Sequence, residues 1–175
     1  MSMTLSLTTV RDRSIEKILA DGELVLQYLG LDEDEAADDS PGEDDEMIAM
    51  DLDKSWHAIH FLLTGSAWEG DGTLSFLLQG GTDVEGIDAG YGPPRLLTSE
   101  EVAEVSQALT AVSPEELRRR FDPEALQEAD IYPNIWMRDP KEDDTLGYVL
   151  EYYDQLRNFI ATANRKGMGL IVAMM

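Results

Sequence analysis

The chain has 175 residues, of which 36 are acidic and 13 basic, so its formal net charge is −23. This charge argues against binding to nucleic acid or anionic membranes, because proteins bind both largely by neutralising phosphates with Lys and Arg. It could steer a basic partner protein, although a general acidic bias of the proteome is the favoured explanation of the charge. The chain has no cysteine, which excludes disulfides, thiolate metal ligands and cysteine nucleophiles.

The N-terminal region has no basic start followed by an apolar run, so we do not interpret it as a secretory signal. No apolar stretch approaches the roughly 18 residues that a membrane span needs. We therefore expect a cytoplasmic protein, and a length of 175 residues suits one domain, 1–175. The sequence gives no indication of oligomeric state.

The first third of the chain contains one predicted strand, two short helices and an acidic loop. Apolar residues spaced close to every second position predict a strand over 3–10. Residues 14–29 have helical spacing that is broken at Asp21-Gly22, which favours two short helices over one long helix. Residues 32–46 contain ten acids and no base. We expect a mobile acidic loop there, without the residue pattern of a calcium-binding loop.

The middle of the chain is punctuated by helix-capping residues. A helix is predicted over 51–64, with Gly65 as its C-terminal cap. Residues 65–72 form a glycine-rich loop, residues 74–78 suit either a helix or a strand, and residues 94–97 suit a short strand. Thr98, Ser113 and Asp122 each have the spacing of an N-cap, the first two with Glu three residues later. Pro follows directly after the last two caps.

The C-terminal region has the clearest amphipathic pattern, which predicts a helix over 144–166 ending at Gly167. The apolar residues that follow predict a strand buried on both faces. Strands at both ends of the chain with helices between them indicate the α/β class. We predict one three-layer α/β/α domain with a mixed sheet of parallel and antiparallel strands.

The helix predicted over 51–64 carries a narrow polar sector that includes Asp53, His57 and His60, beside an apolar arc that includes Trp56. Such a helix is usually buried, so its polar groups need hydrogen-bond partners or a ligand. His57 and His60 are the only histidines, and their spacing would allow both to bind one metal. Further ligands are not evident, so structural histidines bonded to the backbone or to Asp53 are the favoured interpretation. We predict no metal and no cofactor.

Two loops add further candidates for a binding pocket. Trp68 lies in a glycine-rich stretch that lacks the third glycine of a dinucleotide-binding fingerprint, so a tight turn is favoured. Tyr91 and Arg95 flank Gly-Pro-Pro, and Arg95 suits an internal ion pair or, less simply, an anionic ligand. The aromatic residues of 131–136 predict a loop that packs on the body. The patterns of a serine-hydrolase elbow and a Walker A loop are absent from the sequence.

Several segments together resemble the YfbM-like family of uncharacterised bacterial proteins. They are DLDKSWHAIHFLLTG at 51–65, Trp68, GYGPPRLLTSEEV at 90–102, RFDPEAL at 120–126 and IYPNIW at 131–136. The resemblance spans nearly the whole chain and implies the same α/β/α domain. It implies no reaction, because the family has no established activity. The acidic stretch 32–46 is where we expect this chain to depart most from the family.

The sequence leaves two hypotheses of function. The first is a non-enzymatic interaction protein, such as an acidic inhibitor or immunity-type partner of a basic protein. The second is a small-ligand-binding protein or enzyme. Its candidate pocket is lined by Asp53, Trp56, His57, His60, Trp68, Tyr91 and Arg95. We favour the first hypothesis because the charge supports it and no catalytic motif is present.

Overall fold

A computed structural model describes residues 2–31, 47–70 and 72–175 of the chain. The acidic loop predicted at 32–46 lies outside these residues. No helix among the described residues is long and apolar enough to cross a membrane.

The centre of the fold is a sheet in which the described residues form five strands, in the order β2-β1-β5-β4-β3. The strands are β1 (Leu5–Val10), β2 (Ala49–Asp51), β3 (Thr82–Asp83), β4 (Arg95–Leu97) and β5 (Gly169–Met174). Every described strand pair is antiparallel, so the α/β class is confirmed but the prediction of mixed strand directions is wrong. A continuous apolar run is typical of parallel strands covered on both faces, but β5 is covered on both faces while antiparallel to both neighbours.

The two ends of the chain form the central strand pair. β1 and β5 pair along six residues, from Leu5 opposite Met174 to Val10 opposite Gly169. In β5, Leu170 and Val172 contribute to the core on one face of the sheet, and Ile171 contributes to the core on the other. Both faces are covered, which explains the unbroken apolar run and confirms the predicted buried strand.

Helices cover both faces of this sheet, which confirms the three-layer arrangement. α1 (Asp12–Ala20) and α2 (Val25–Tyr28), joined by a 3-10 turn, cover one face. The other face is covered by α3 (Trp56–Thr64), α4 (Ser99–Thr110), α5 (Pro114–Arg120), α6 (Pro123–Glu128) and α7 (Thr145–Arg165). The larger core lies on this second side and includes Leu5, Leu7, Leu97, Leu170 and Val172 of the sheet.

Local capping explains where four helices begin. Thr98 and Glu101 form the reciprocal capping box of α4 as predicted. Ser113 and Asp122 cap α5 and α6 through backbone N–H groups, and Asp144 does the same for α7. Each cap supplies an acceptor to a helix terminus whose N–H groups have no partner within the helix.

The helix predicted over 51–64 begins later than expected, at Trp56, because residues 49–51 pair with β1 as an edge strand. Asp53 then adopts a left-handed conformation, with φ of 51°, while its N–H donates to the Asp51 carboxylate at 2.6 Å. This local turn is incompatible with a continuous helix. The predicted C-cap is confirmed, since Gly65 has φ of 80° and its N–H donates to the Phe61 carbonyl.

The structure shows the conformation and burial of two segments, residues 74–78 and 131–136. Residues 73–75 form a 3-10 turn, and Phe76 and Leu77 after it are buried. The loop over 131–136 packs on the body as predicted, because Ile131 and Trp136 are both buried.

Candidate functional site

The seven residues predicted to line one pocket lie in three different environments. Asp53 lies apart from the others, at the N-terminal end of α3, and is bonded to α7. The Tyr148 hydroxyl donates to an Asp53 carboxylate oxygen at 2.6 Å and accepts from the Lys54 N–H at 3.1 Å. Burial and the bond to Asp53 raise the pKa of Tyr148, which keeps its hydroxyl a donor. Asp53 therefore joins two helices.

The buried rings of Trp56 and His57, the first two residues of α3, form an aromatic cluster with Tyr132 and the exposed Trp68. The Trp56 and His57 rings are stacked with centroids 4.8 Å apart, and Tyr132 lies 5.9 Å from Trp56. The Trp56 Nε1–H donates to the Met3 carbonyl at 3.0 Å. The polar atom of this large side chain is thus satisfied inside the protein.

His57 uses both ring nitrogens for backbone hydrogen bonds. Its Nδ1 accepts from the Tyr132 N–H at 2.9 Å, so the proton resides on Nε2, which donates to the Ala67 carbonyl at 2.8 Å. Burial lowers the pKa of His57, opposed by the bond to Ala67. The ring is neutral and holds two separate loops against α3.

His60 lies one turn further along α3 and is equally buried. Its Nε2 is 3.1 Å from the Glu69 carbonyl, an acceptor only, so Nε2 carries the proton. Its Nδ1 is buried and has no partner among the described residues. Burial lowers the pKa of His60, and the positive charge of Arg95 lowers it further.

The two histidines together hold the segment that carries Trp68. Their Nε2 atoms bond the carbonyls of Ala67 and Glu69, the residues on either side of Trp68. The His57 ring also contacts the Trp68 ring, with centroids 4.3 Å apart. Both histidines are thus bonded to the backbone, which is one of the two kinds of partner expected from the sequence.

Trp68, Tyr91 and Arg95 are the predicted residues that line a cleft, whose volume is about 330 Å³. Trp68 is 55% exposed and Tyr91 is 40% exposed. The apolar part of the lining comes from the sheet and from the turn after residue 75, through Leu5, Leu77, Leu78, Val172 and Met174. Asp83 of β3 also lines this cleft. Sequence reasoning missed Asp83, which lies in a two-residue strand too short to produce a pattern.

Arg95 holds the turn that forms one wall of the cleft. Its guanidinium donates to three backbone carbonyls, those of Phe76, Leu77 and Gly80, at 2.6–3.0 Å. Among the described residues these hydrogen bonds go to the backbone and not to a carboxylate, so the ion pair favoured from the sequence is replaced by backbone bonds with Asp83 nearby. Burial lowers the pKa of Arg95 to about 10, while nearby Asp83 opposes this shift.

Tyr91 is positioned by a turn that is bonded to the end of β5. The Asp88 carboxylate accepts from the N–H groups of Gly90 and Gly92 at 2.8 and 3.1 Å, and these bonds lower the pKa of Asp88. The Tyr91 N–H donates to the Met174 carbonyl at 3.2 Å. Two loops far apart in sequence, residues 65–70 and 88–93, therefore present Trp68 and Tyr91 to one cleft.

A second cavity, of about 450 Å³, lies between the N-terminal ends of α6 and α7 and was not indicated by the sequence. Its apolar lining includes Phe121, Trp136, Met137 and Leu146. It contains none of the predicted site residues.

The two histidines differ in whether a ring nitrogen remains available to a ligand. His57 uses both ring nitrogens in backbone hydrogen bonds, so it offers no lone pair to a metal, whereas His60 keeps the lone pair of its buried Nδ1. Among the described residues, no group of three or more His, Asp or Glu side chains could hold a metal ion. What the site does offer is a cleft with two exposed aromatic rings in an acidic protein.

The fold and this site define a class: a three-layer α/β/α domain with an antiparallel sheet, a buried histidine pair and an open aromatic cleft. Residues 1–173 match the model of a family described as a domain of unknown function, DUF1877, and the chain belongs to that family.

Two comparisons agree with this assignment and with the resemblance seen in the sequence. Protein YfbM of Escherichia coli strain K12 is 30% identical over 122 residues, covering 67% of this chain and 71% of YfbM. The crystal structure of YfbM from Escherichia coli, described as a protein of unknown function, superposes with a TM-score of 0.71. That alignment covers 98% of this chain and 99% of YfbM at 19% identity, and it shows the shared fold.

Proposed function

We propose that the chain is a non-enzymatic interaction protein that captures a Lys or Arg side chain of a basic partner protein between Trp68 and Tyr91. The observation that carries the proposal is that both aromatic side chains, 55% and 40% exposed, border one cleft in a chain with net charge −23. Exposed aromatic residues at a cavity commonly mark a binding site.

A basic side chain matches the cleft in both of its parts. The methylene stem of Lys or Arg would lie on the apolar lining, and the cationic end would face the aromatic rings. A cation over such a ring is stabilised by about 0.5–1 kcal/mol when exposed and by about 2 kcal/mol when desolvated. The Asp83 carboxylate in the lining offsets the positive charge of Arg95, so this pair does not repel a cation.

Arg95 does not prevent a cation from entering, because its charge is compensated within the protein. Three backbone carbonyls accept its N–H groups, and Asp83 lies close enough to influence its pKa. The remaining surface charge attracts a basic partner over a distance of about 8–10 Å at physiological ionic strength.

A binding role agrees better with the lining than a catalytic role does. Among the described residues that line the cleft there is no Ser, Thr, Cys or His, and the Asp83 carboxylate lies near the charge of Arg95. His57 lies behind Trp68 with both nitrogens bonded to the backbone. The aromatic and apolar residues that a partner would contact in the cleft therefore support the binding role.

The test is titration of the protein with a fluorescent Arg- and Lys-containing peptide, followed by anisotropy at low and physiological salt. We expect Trp68→Ala and Tyr91→Ala each to weaken binding about tenfold, since about 1.4 kcal/mol corresponds to that factor. Leu19→Ala is the matched control, because Leu19 is 52% exposed on α1, which covers the other face of the sheet.

Substitution at Trp68 or Tyr91 leaves the net charge unchanged, so an effect cannot come from the general attraction of an acidic surface. Equal affinity for wild type and both cleft variants would rule out the cleft as the binding site. Absence of binding to any basic peptide at low salt would rule out the proposed partner class.

A flat heteroaromatic molecule is a second candidate occupant, favoured by the two aromatic residues and the apolar residues in the lining of the cleft. A ligand at 100 times its dissociation constant would add about 2.7 kcal/mol to the free energy of unfolding. Thermal unfolding with a panel of heteroaromatic molecules distinguishes this candidate from a basic side chain. Only the heteroaromatic candidate predicts a higher unfolding midpoint in the absence of any peptide. The shift would be lost in Trp68→Ala.

A further inference from the structure

The segment that carries Trp68 is held to the body of the protein by two titratable side chains. We propose that His57 and His60 are positioning residues that fix Trp68 at the cleft, and that their protonation releases the segment and with it the captured side chain. The release of a partner rests on the proposed function. The positioning of Trp68 stands on the hydrogen bonds alone.

The geometry couples both histidines to one short segment. Each Nε2–H donates to a carbonyl adjacent to Trp68, at 2.8 Å for Ala67 and 3.1 Å for Glu69. The segment is bounded by Gly65, with φ of 80°, and its remaining bonds include one from Gln79 Nε2 to the Trp68 carbonyl at 3.1 Å. Within residues 47–70 and 72–175, the side chains in these other bonds are Thr64, Ser66 and Gln79, which do not titrate, so the response to pH there is concentrated in the histidines.

We call the segment closed when the carbonyls of Ala67 and Glu69 are bonded to the two histidines. Protonation of either ring is incompatible with the closed segment, for a different reason at each ring. His57 Nδ1 accepts from the Tyr132 N–H, and a proton on Nδ1 would place two donors against each other. His60 Nδ1 is buried without a partner among the described residues, so its proton would be an unsatisfied buried donor. Opening of the segment exposes both rings to water, where they accept protons at an ordinary pKa near 6.5.

The charged groups facing the two rings do not reverse this balance. His57 faces His60, which disfavours its protonation, and Asp130, which favours it. His60 faces Arg95, whose positive charge disfavours protonation. For both rings burial has the largest effect and lowers the pKa, so neutral histidines and a closed segment are favoured together.

The first measurement is acrylamide quenching of Trp68 fluorescence as a function of pH. The Trp68 signal is obtained by subtracting the spectrum of Trp68→Phe, which leaves Trp56 and Trp136. We expect quenching of Trp68 to rise severalfold on acidification below pH ~6.5, with a steepness above that of one proton because two rings act together. Far-UV circular dichroism over the same range separates opening of the segment from global unfolding.

The decisive variants are His57→Gln and His60→Gln, alone and combined. A glutamine side-chain amide can donate to a carbonyl in place of Nε2–H and does not titrate, so it retains the bond and removes the response. We expect the double variant to quench like wild type at neutral pH and to lose the rise in acid. If the double variant does not fold, His60→Gln alone should reduce the steepness to that of one proton.

Four outcomes are decisive. No rise in wild-type quenching, or the same rise in the glutamine variants, would overturn the positioning role. Loss of peptide binding in acid in parallel with the rise supports release of the partner. If the basic peptide binds at no pH while Trp68 still responds, the proposed function fails and the histidine positioning stands.

Discussion

The histidine sector of α3 and the cleft beside it differ in how their functional groups are used. His57 and His60 are polar and fully buried, and they are bonded to the backbone. Trp68 and Tyr91 are largely apolar and yet 55% and 40% exposed. A buried polar group that is satisfied internally is explained by the fold, whereas an exposed aromatic group at a cavity is not. The exposed pair is therefore the better indicator of a binding site.

The largest expected contrast is between two tryptophans of the same aromatic cluster. Trp56 is 0% exposed and bonded to the Met3 carbonyl, so Trp56→Ala should lower the free energy of unfolding by about 3–5 kcal/mol. Trp68→Ala should lower it by less than about 1 kcal/mol, as is usual at exposed positions. Urea denaturation followed by circular dichroism measures both. Similar losses would show that Trp68 belongs to the core.

Removal of one histidine tests whether the buried histidines stabilise the fold. His57→Ala deprives the Tyr132 N–H and the Ala67 carbonyl of their partners and leaves a cavity beside Trp56. We expect a loss of about 3 kcal/mol in the free energy of unfolding. His57→Gln is the control and should recover part of the loss through the Ala67 bond. A loss below that of Trp68→Ala would contradict a structural role.

The pH dependence of the free energy of unfolding also tests the contribution of the two buried histidines. Both histidines have a lowered pKa in the folded protein. The unfolded chain therefore binds more protons just below pH ~6.5, and the free energy of unfolding falls as the pH decreases through that value. Their contribution is complete above pH ~6.5. Denaturant midpoints measured across this range should fall in wild type more than in the His57→Gln/His60→Gln double variant.

Arg95 tests the wall of the cleft. Arg95→Lys keeps the charge but cannot direct donors to the Phe76, Leu77 and Gly80 carbonyls at once. We expect it to reduce the free energy of unfolding by about 2 kcal/mol, because carbonyls near the core lose their partners. Hydrogen exchange of residues 76–80 should rise in the variant. Unchanged hydrogen exchange would show that the turn is stable without the hydrogen bonds from Arg95.

The smallest expected effect is the coupling of Asp53 and Tyr148, which lie outside the cleft. A double-mutant cycle with Asp53→Asn and Tyr148→Phe should give a coupling of about 1 kcal/mol in stability. Neither substitution should alter peptide binding, because neither residue lines the cleft. Weakened binding in either variant would place Asp53 back in the site, as the sequence first suggested.

Much of the fold followed from local signals in the chain. The caps at Thr98, Ser113 and Asp122, the amphipathic pattern of α7 and the apolar run of β5 each depend on neighbouring residues, and each was confirmed. Asp53 shows the limit of this reasoning. Its side chain has a helical position in the sequence, but a left-handed backbone places it before α3 and against α7.

Only part of the candidate site was predicted, because the residues that form it come from separate loops. Trp68, Tyr91 and Arg95 meet at one cleft, whereas His57 and His60 lie behind it and Asp53 lies elsewhere. Periodicity placed the histidines correctly on the polar sector of a buried helix. It could not show that their partners would be backbone carbonyls, because those carbonyls belong to a loop whose path is not encoded in helical spacing.

The sequence by itself determined the class of the fold, most of its helices, the buried central strand and the family. These depend on local spacing, on caps and on the physical pattern of burial. Only the tertiary structure decided the antiparallel order of the sheet, the bonds of the two histidines and the meeting of Trp68 with Tyr91. These depend on contacts between residues far apart in the chain, and local propensity does not determine which loops converge.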